Sequence, residues 1–271
     1  MCPRGLERRY SLCDTASRHQ ENSRYPAELI LLGSLHVAKE VVRCPLSPSR
    51  PAAAVVAVAP LILIAAFVLH PHLPGRQPNI EALAEAVSSD PTRWGLVHLA
   101  TGLGSALLAV AFRIISNHLG RPREDRWTAA GLPLIIVGCT LYAMLPAMEF
   151  APLAAVESGG DPAAAQQALL HWFGPVLIAS AATFGTGAVC FGVGVTRSPV
   201  LGRGSARVVA ASLVVMALSR FVPLSAVQFY VQGLACYAAM LPLAYAMWRP
   251  SAAARMTRVV SQPTTTGPGI G

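Results

Sequence analysis

Charge is what this chain of 271 residues has least of: Asp, Glu, Lys and Arg make up 13%, against about 25% in ordinary soluble domains. Lysine is almost missing, since Lys39 stands alone, and the formal net charge of +8 rests on arginine. These arginines are not interleaved with aromatics along one face, so the chain lacks the electrostatic footprint of a nucleic-acid binder. Compact chemical motifs are missing too. No CxxC, HExxH, Walker, GxGxxG or GxSxG pattern occurs in a usable context, which removes the sequence grounds for a compact zinc motif, a nucleotide fold or a hydrolase elbow. Gly185-x-Gly187 and Gly192-x-Gly194 lie inside an apolar run, where phosphate binding makes no physical sense.

The six cysteines suggest no disulfide framework. Cys2, Cys13 and Cys44 lie in the N-terminal tail, whereas Cys139, Cys190 and Cys236 lie within apolar runs, where a thiol serves as a small packing group. Nor does an apolar stretch sit close enough to the start to read as a secretory leader.

Apolar length is what remains. Hydrophobic residues make up 54% of the chain and the mean hydropathy is +0.50. About six runs approach the roughly 20 residues that cross a bilayer: Pro51–His70, Pro91–His118, Trp127–Phe150, His171–Thr196, Val208–Val222 and Ala226–Trp248. Every tryptophan stands at a run end, where indoles favour the membrane interface. The fold class expected is therefore all-α, a polytopic transmembrane helical bundle of about six spans. Residues 1–50 read as a disordered cytoplasmic tail, 51–250 as the membrane domain and 251–271 as a second disordered tail. A short helix over Ile80–Val87 is expected behind an Asn79 cap, and Asp90-Pro91 and Asp161-Pro162 are expected helix starts. In the fourth run Ala181, Gly185, Ala188 and Gly192 form a stripe that lets helix backbones approach.

Arginine sets the orientation. Arg121, Arg123 and Arg126 follow the second run, Arg197, Arg203 and Arg207 the fourth, and Arg249, Arg255 and Arg258 the last. The positive-inside rule places those segments, and both termini, in the cytoplasm of a cell-membrane protein. His70, His72, His98, Glu149, His171, Arg220, Gln228 and Gln232 then gather near the outer ends. Ionisable groups at such depth face a bundle interior or a wet cavity.

Three readings of that set stay open. The residues are interfacial caps, with Glu149 paired to Arg220. Or His98, Glu149, His171, Arg220, Gln228 and Gln232 line the polar pocket of a small-molecule carrier or sensor, with no cofactor. Or His70 (or His72), His98, Glu149 and His171 hold zinc in a membrane-embedded enzyme, because imidazoles with a carboxylate suit that ion. Haem between His98 and His171 is a variant of the third. The lipid bilayer is the expected partner, nucleic acid is not, and catalysis is the less favoured outcome.

His70-Pro71, Trp94-x-x-x-His98 with the Gly-rich remainder of its run, and Met148-Glu149-Phe150 followed by Ala-Pro-Leu-Ala together give a resemblance. Over residues 53–248 the chain resembles a family of six-span membrane proteins of high-GC bacteria, of the DUF4386 type. The resemblance implies an integral membrane location and transfers no activity to any residue.

Overall fold

In a computed structural model the described residues are 50–119 and 126–249; residues 1–49, 120–125 and 250–271 lie outside them, and with them the two expected tails apart from Arg50. The chain divides into two units, Met1–Leu46 and Ser47–Gly271, and every described helix belongs to the second. These helices are α1 (Arg50–Leu69), α2 (Ile80–Ser89), α3 (Pro91–Leu119), α4 (Arg126–Met148), α5 (Phe150–Glu157), α6 (Pro162–Arg197), α7 (Arg203–Ser219), a π-helical turn (Val227–Val231) and α8 (Gln232–Trp248). No strand occurs among the described residues beyond an isolated bridge between Arg76 and Leu224.

The starts follow the expected caps. Asn79 accepts from the Ala82 N–H at 3.1 Å, Asp90 from Arg93 N–H at 3.0 Å and Asp161 from Ala163 N–H at 2.8 Å. Each satisfies an N–H that a helix start leaves without a partner. The third run, expected to end at Phe150, breaks one residue earlier and resumes as α5; at the break Pro152 has no N–H to return to the Met148 carbonyl and its ring disfavours a straight helix. Glu149 occupies that break (φ −78°, ψ 1°). Gly159 closes α5 at φ +76°, with its own N–H on Val156 O and that of Gly160 on Ala155 O, a left-handed cap that glycine adopts without strain. The fourth run and its lead-in are one helix of 36 residues, about 54 Å long and longer than a bilayer is thick.

Five helical stretches, Arg50–Leu69, Pro91–Leu119, Arg126–Glu157, Pro162–Arg197 and Val227–Trp248, are long and apolar enough to cross a membrane. Their outward residues are apolar as well, including Leu61, Leu99, Leu103, Val137, Ile178, Val189 and Leu234. A surface like that suits lipid, and the chain is a multi-span membrane protein. The expected fifth run is α7, whose 17 residues fall short of the other five.

The core runs through the bundle around Phe112, Phe184 and Phe191, whose rings meet edge to face at centroid distances of 6.2 and 5.0 Å. Helices α4 and α6 approach most tightly. A Cβ on Gly138 would lie 2.6 Å from the Phe184 backbone nitrogen, and one on Gly131 would lie 2.7 Å from the Gly187 carbonyl oxygen. The small-residue stripe expected on α6 does pack, but partly against α7: Gly185 faces Ala217 and Gly192 faces Ala210. The closest seam, through Gly187, lies on a neighbouring face. Two hydroxyls cross between helices, Ser105 Oγ donating to Cys139 O at 2.8 Å and Ser180 Oγ to Gly138 O at 3.1 Å. Cys139 and Cys236 are buried free thiols and Cys190 is half-buried.

At one end a satellite core of Leu73, Leu83, Val87, Trp94 and Leu153 joins α2, α5 and the α1–α2 loop into a cap. That loop is stapled to the turn before the π-helix. Gln77 N–H donates to Pro223 O at 2.9 Å, Gln77 Nε2 to Ser225 Oγ at 3.1 Å and Ser225 Oγ to Leu73 O at 2.9 Å.

Replacing Gly138 or Gly131 by Ala is expected to lower unfolding stability by about 1–3 kcal/mol through overpacking. Gly102→Ala and Gly174→Ala, where a Cβ meets nothing within 4 Å, are expected to be neutral or slightly stabilising. Thermal unfolding in lipid nanodiscs compares the two pairs; equal losses would mean that the α4–α6 seam tolerates a methyl group.

Candidate functional site

Under the cap, three chain segments bring His70, His98 and Glu149 together. His70 follows the last residue of α1, His98 lies two turns into α3, and Glu149 sits in the α4–α5 break. One ligating atom from each lies within 4.8 Å of the others. His98 Nε2 is 2.5 Å from Glu149 Oε2, and the His70 and His98 ring centroids are 5.1 Å apart. The histidines are 8% and 5% exposed and the Glu149 side chain 16%, so Glu149 is the member that water reaches most easily.

Backbone carbonyls orient both imidazoles. His70 Nδ1 lies 2.8 Å from Pro71 O and His98 Nδ1 lies 2.6 Å from Trp94 O. A carbonyl cannot donate, so each Nδ1 carries the hydrogen and each Nε2 is left as the nitrogen available to a proton or a cation. Burial is the main reason that His70, just outside the first span, is pushed down to about 4, with the neighbouring His98 acting in the same direction. It is therefore neutral near pH 7.

Trp94 is the organising residue that sequence reading missed. It was expected at the membrane interface with Trp172 and Trp248. Those two are largely exposed, but Trp94 is fully buried. Its Nε1 donates to Glu149 O at 3.1 Å, its carbonyl holds His98, and its ring packs 4.4 Å from His98 and 5.4 Å from His70. The signal lay in Trp94-x-x-x-His98, an i,i+4 pair on one helix face. Phe229 of the π-helix closes the other side of His70 at 4.6 Å.

The remaining expected site residues lie elsewhere. His171 is exposed and its ring contacts its own neighbour Trp172 at 5.0 Å. It is not in the cluster, and neither is the exposed His72. The expected Glu149–Arg220 pair does not form, because Glu149 turns to His98. Arg220 instead lies with its guanidinium carbon 4.4 Å from the Tyr142 ring centroid and 3.8 Å from that of Phe184. Gln228 Nε2 reaches only the Arg220 carbonyl, at 3.5 Å, and Gln232 is buried beside Tyr142. The expected single pocket is thus two groups of residues, a His–His–Glu cluster under the cap and an arginine group deeper in the bundle.

No family model matches this chain, and neither a curated protein nor a solved structure matches it.

Trp94→Phe removes the indole donor from the Glu149 carbonyl and leaves a void beside both imidazoles. It is expected to cost about 1–3 kcal/mol, whereas the exposed Trp172→Phe should stay within about 0.5 kcal/mol. Denaturant unfolding in micelles measures both, and equal effects would remove Trp94 from its organising position.

Proposed function

We propose that this membrane protein binds one divalent transition-metal ion, with zinc the best match, through His70, His98 and Glu149. The observation that carries the reading is the pair of Nδ1–carbonyl contacts, which leave both Nε2 atoms as lone-pair donors beside a carboxylate. Such outer hydrogen bonds are what orient metal-ligating histidines. As it stands, the 2.5 Å contact of His98 with Glu149 is one that a shared proton satisfies; a cation that both hold replaces that proton and needs the two atoms further apart. A tetrahedral zinc site with bonds of 2.0–2.1 Å sets its ligand atoms about 3.4 Å apart. That lies between the 2.5 Å contact and the 4.8 Å limit of the cluster, so small side-chain rotations suffice.

Three protein ligands leave one coordination position for water or a small molecule. This supports a carrier or sensor whose ligand reaches the ion past Glu149. The hydrolytic alternative draws on the same donor set, since two histidines and one glutamate with an open position also serve catalytic zinc, which supplies an activated water.

Zinc titration of the chelator-treated protein is expected to reach about one equivalent per chain with release of a proton, because the ligands must be deprotonated. His70→Ala, His98→Ala and Glu149→Ala should abolish this uptake, while His72→Ala and His171→Ala retain it. Absence of saturable zinc uptake by the wild type would reject the reading, and turnover of an ester or amide probe only by zinc-loaded protein would favour the enzyme.

The arginine distribution supports cytoplasmic termini and a cluster at the outer face of the cell membrane, with α7 as the sixth crossing. Seventeen residues rise about 26 Å, and the turn after it supplies the remainder. A topology reporter fused after Arg249 should be active in the cytoplasm. Activity on the outer side would place the cluster on the opposite face.

A further inference from the structure

Arg220 is the residue that the metal cluster leaves unexplained. It caps the end of α7, yet its side chain turns into the bundle and Nη1 donates to Ser180 Oγ at 3.3 Å, midway along α6. Only 3% of the residue is exposed. A guanidinium at that depth needs a counter-charge, because desolvation penalises an unpaired ion far more than a paired one. Among the described residues it has none, and Glu149, the carboxylate expected to pair with it, is engaged by His98.

Its hydrogen bonds are equally incomplete. Among the described residues Nη1–Ser180 is the only side-chain bond of the guanidinium, and Nε is buried without a partner. Ser180 has spent its own hydrogen on Gly138 O, so it positions Nη1 and has no proton left to donate. The Tyr142 and Phe184 rings lie against the guanidinium, and neither offers an acceptor to the buried Nε–H. Gln232, 1% exposed, lies against the same Tyr142 near its hydroxyl, but neither its Nε2 nor its Oε1 meets hydrogen-bond geometry. It begins α8 directly after the π-helical turn, and π-turns recur at functional sites. Buried polar atoms left unsatisfied in this number call for an occupant.

We propose that Arg220 and Gln232 bind the carboxylate of a monoanionic ligand inside the helix bundle. One unpaired positive charge matches one negative charge; a phosphate dianion would bring a second with nothing to meet it. A planar carboxylate also suits a guanidinium, which offers parallel N–H donors, and the Gln232 amide supplies a further donor. The carboxylate belongs either to a small acid arriving from water or to a fatty acid arriving through the lipid. The inference stands apart from the metal reading, because it uses none of the three ligand residues.

The test is thermal unfolding of the full chain in nanodiscs, with chelator present and ionic strength held with chloride, during titration with sodium acetate or, separately, with oleate in the bilayer. The wild type is expected to show a saturable rise in midpoint. Response to acetate identifies an aqueous acid, and response to oleate alone a membrane-borne one. Arg220→Gln should raise the half-saturating concentration roughly tenfold or more, the loss of a charged hydrogen-bonded contact. Gln232→Ala, which keeps the arginine, should weaken the response as well and serves if the first variant does not fold. His98→Ala, which breaks the metal cluster, should leave the acid response unchanged. A wild type indifferent to both acids beyond the chloride control, or equal half-saturation in Gln232→Ala and wild type, would overturn the site.

Discussion

The close approach of α4 and α6 is the constraint on which the other contacts rest. In lipid no hydrophobic gain draws one apolar helix to another, so association depends on dispersion and on hydrogen bonds made at short range. Glycines at 131, 138 and 187 bring the two backbones near enough for both. Once Gly138 lies against Phe184, the Ser180 hydroxyl reaches the Gly138 carbonyl. Tyr142, one turn further along α4, and Phe184 then both lie against the Arg220 guanidinium. The same seam holds the upper turns of α4, and therefore positions Glu149 beneath the cap.

Two ionisable groups of the bundle are handled in opposite ways. Under the cap, Glu149 meets His98, each imidazole has a backbone carbonyl, and partial exposure moderates the cost of charge. Arg220 lies in a drier place, shielded by aromatic faces and one hydroxyl. Cation–π contacts contribute about 2 kcal/mol when desolvated, less than a buried ion loses on leaving water. That imbalance separates a self-sufficient cluster from one that calls for an anion. The Leu73–Ser225–Gln77 staple ties the loop that carries His70 to the turn that separates Arg220 from Gln232, so the two regions share a rigid end of the bundle.

Much of the architecture could be read along the chain because it depends on local chemistry. Asp90-Pro91 and Asp161-Pro162 start helices since a carboxylate and a fixed φ act within one turn. Apolar length marks the spans because the bilayer imposes it. The end of the third run was legible to within a residue, but α5 beyond it was missed, as a proline such as Pro152 still permits several helix paths. Trp94 was misread for another reason: an indole at a run end serves equally as a lipid anchor or as a buried hydrogen-bond donor, and only its neighbours distinguish them.

Composition, run length and cap residues by themselves made this an all-helical membrane protein and gathered its histidines, glutamate and arginine towards one end. Which of them meet was decided by the rotation and separation of packed helices. Helical periodicity gives a side chain an angle on its own axis, but not the azimuth of the next helix or the fold of a loop. Hence Glu149 faces His98 and not Arg220, His171 points outward, and Trp94 turns inward to hold the cluster.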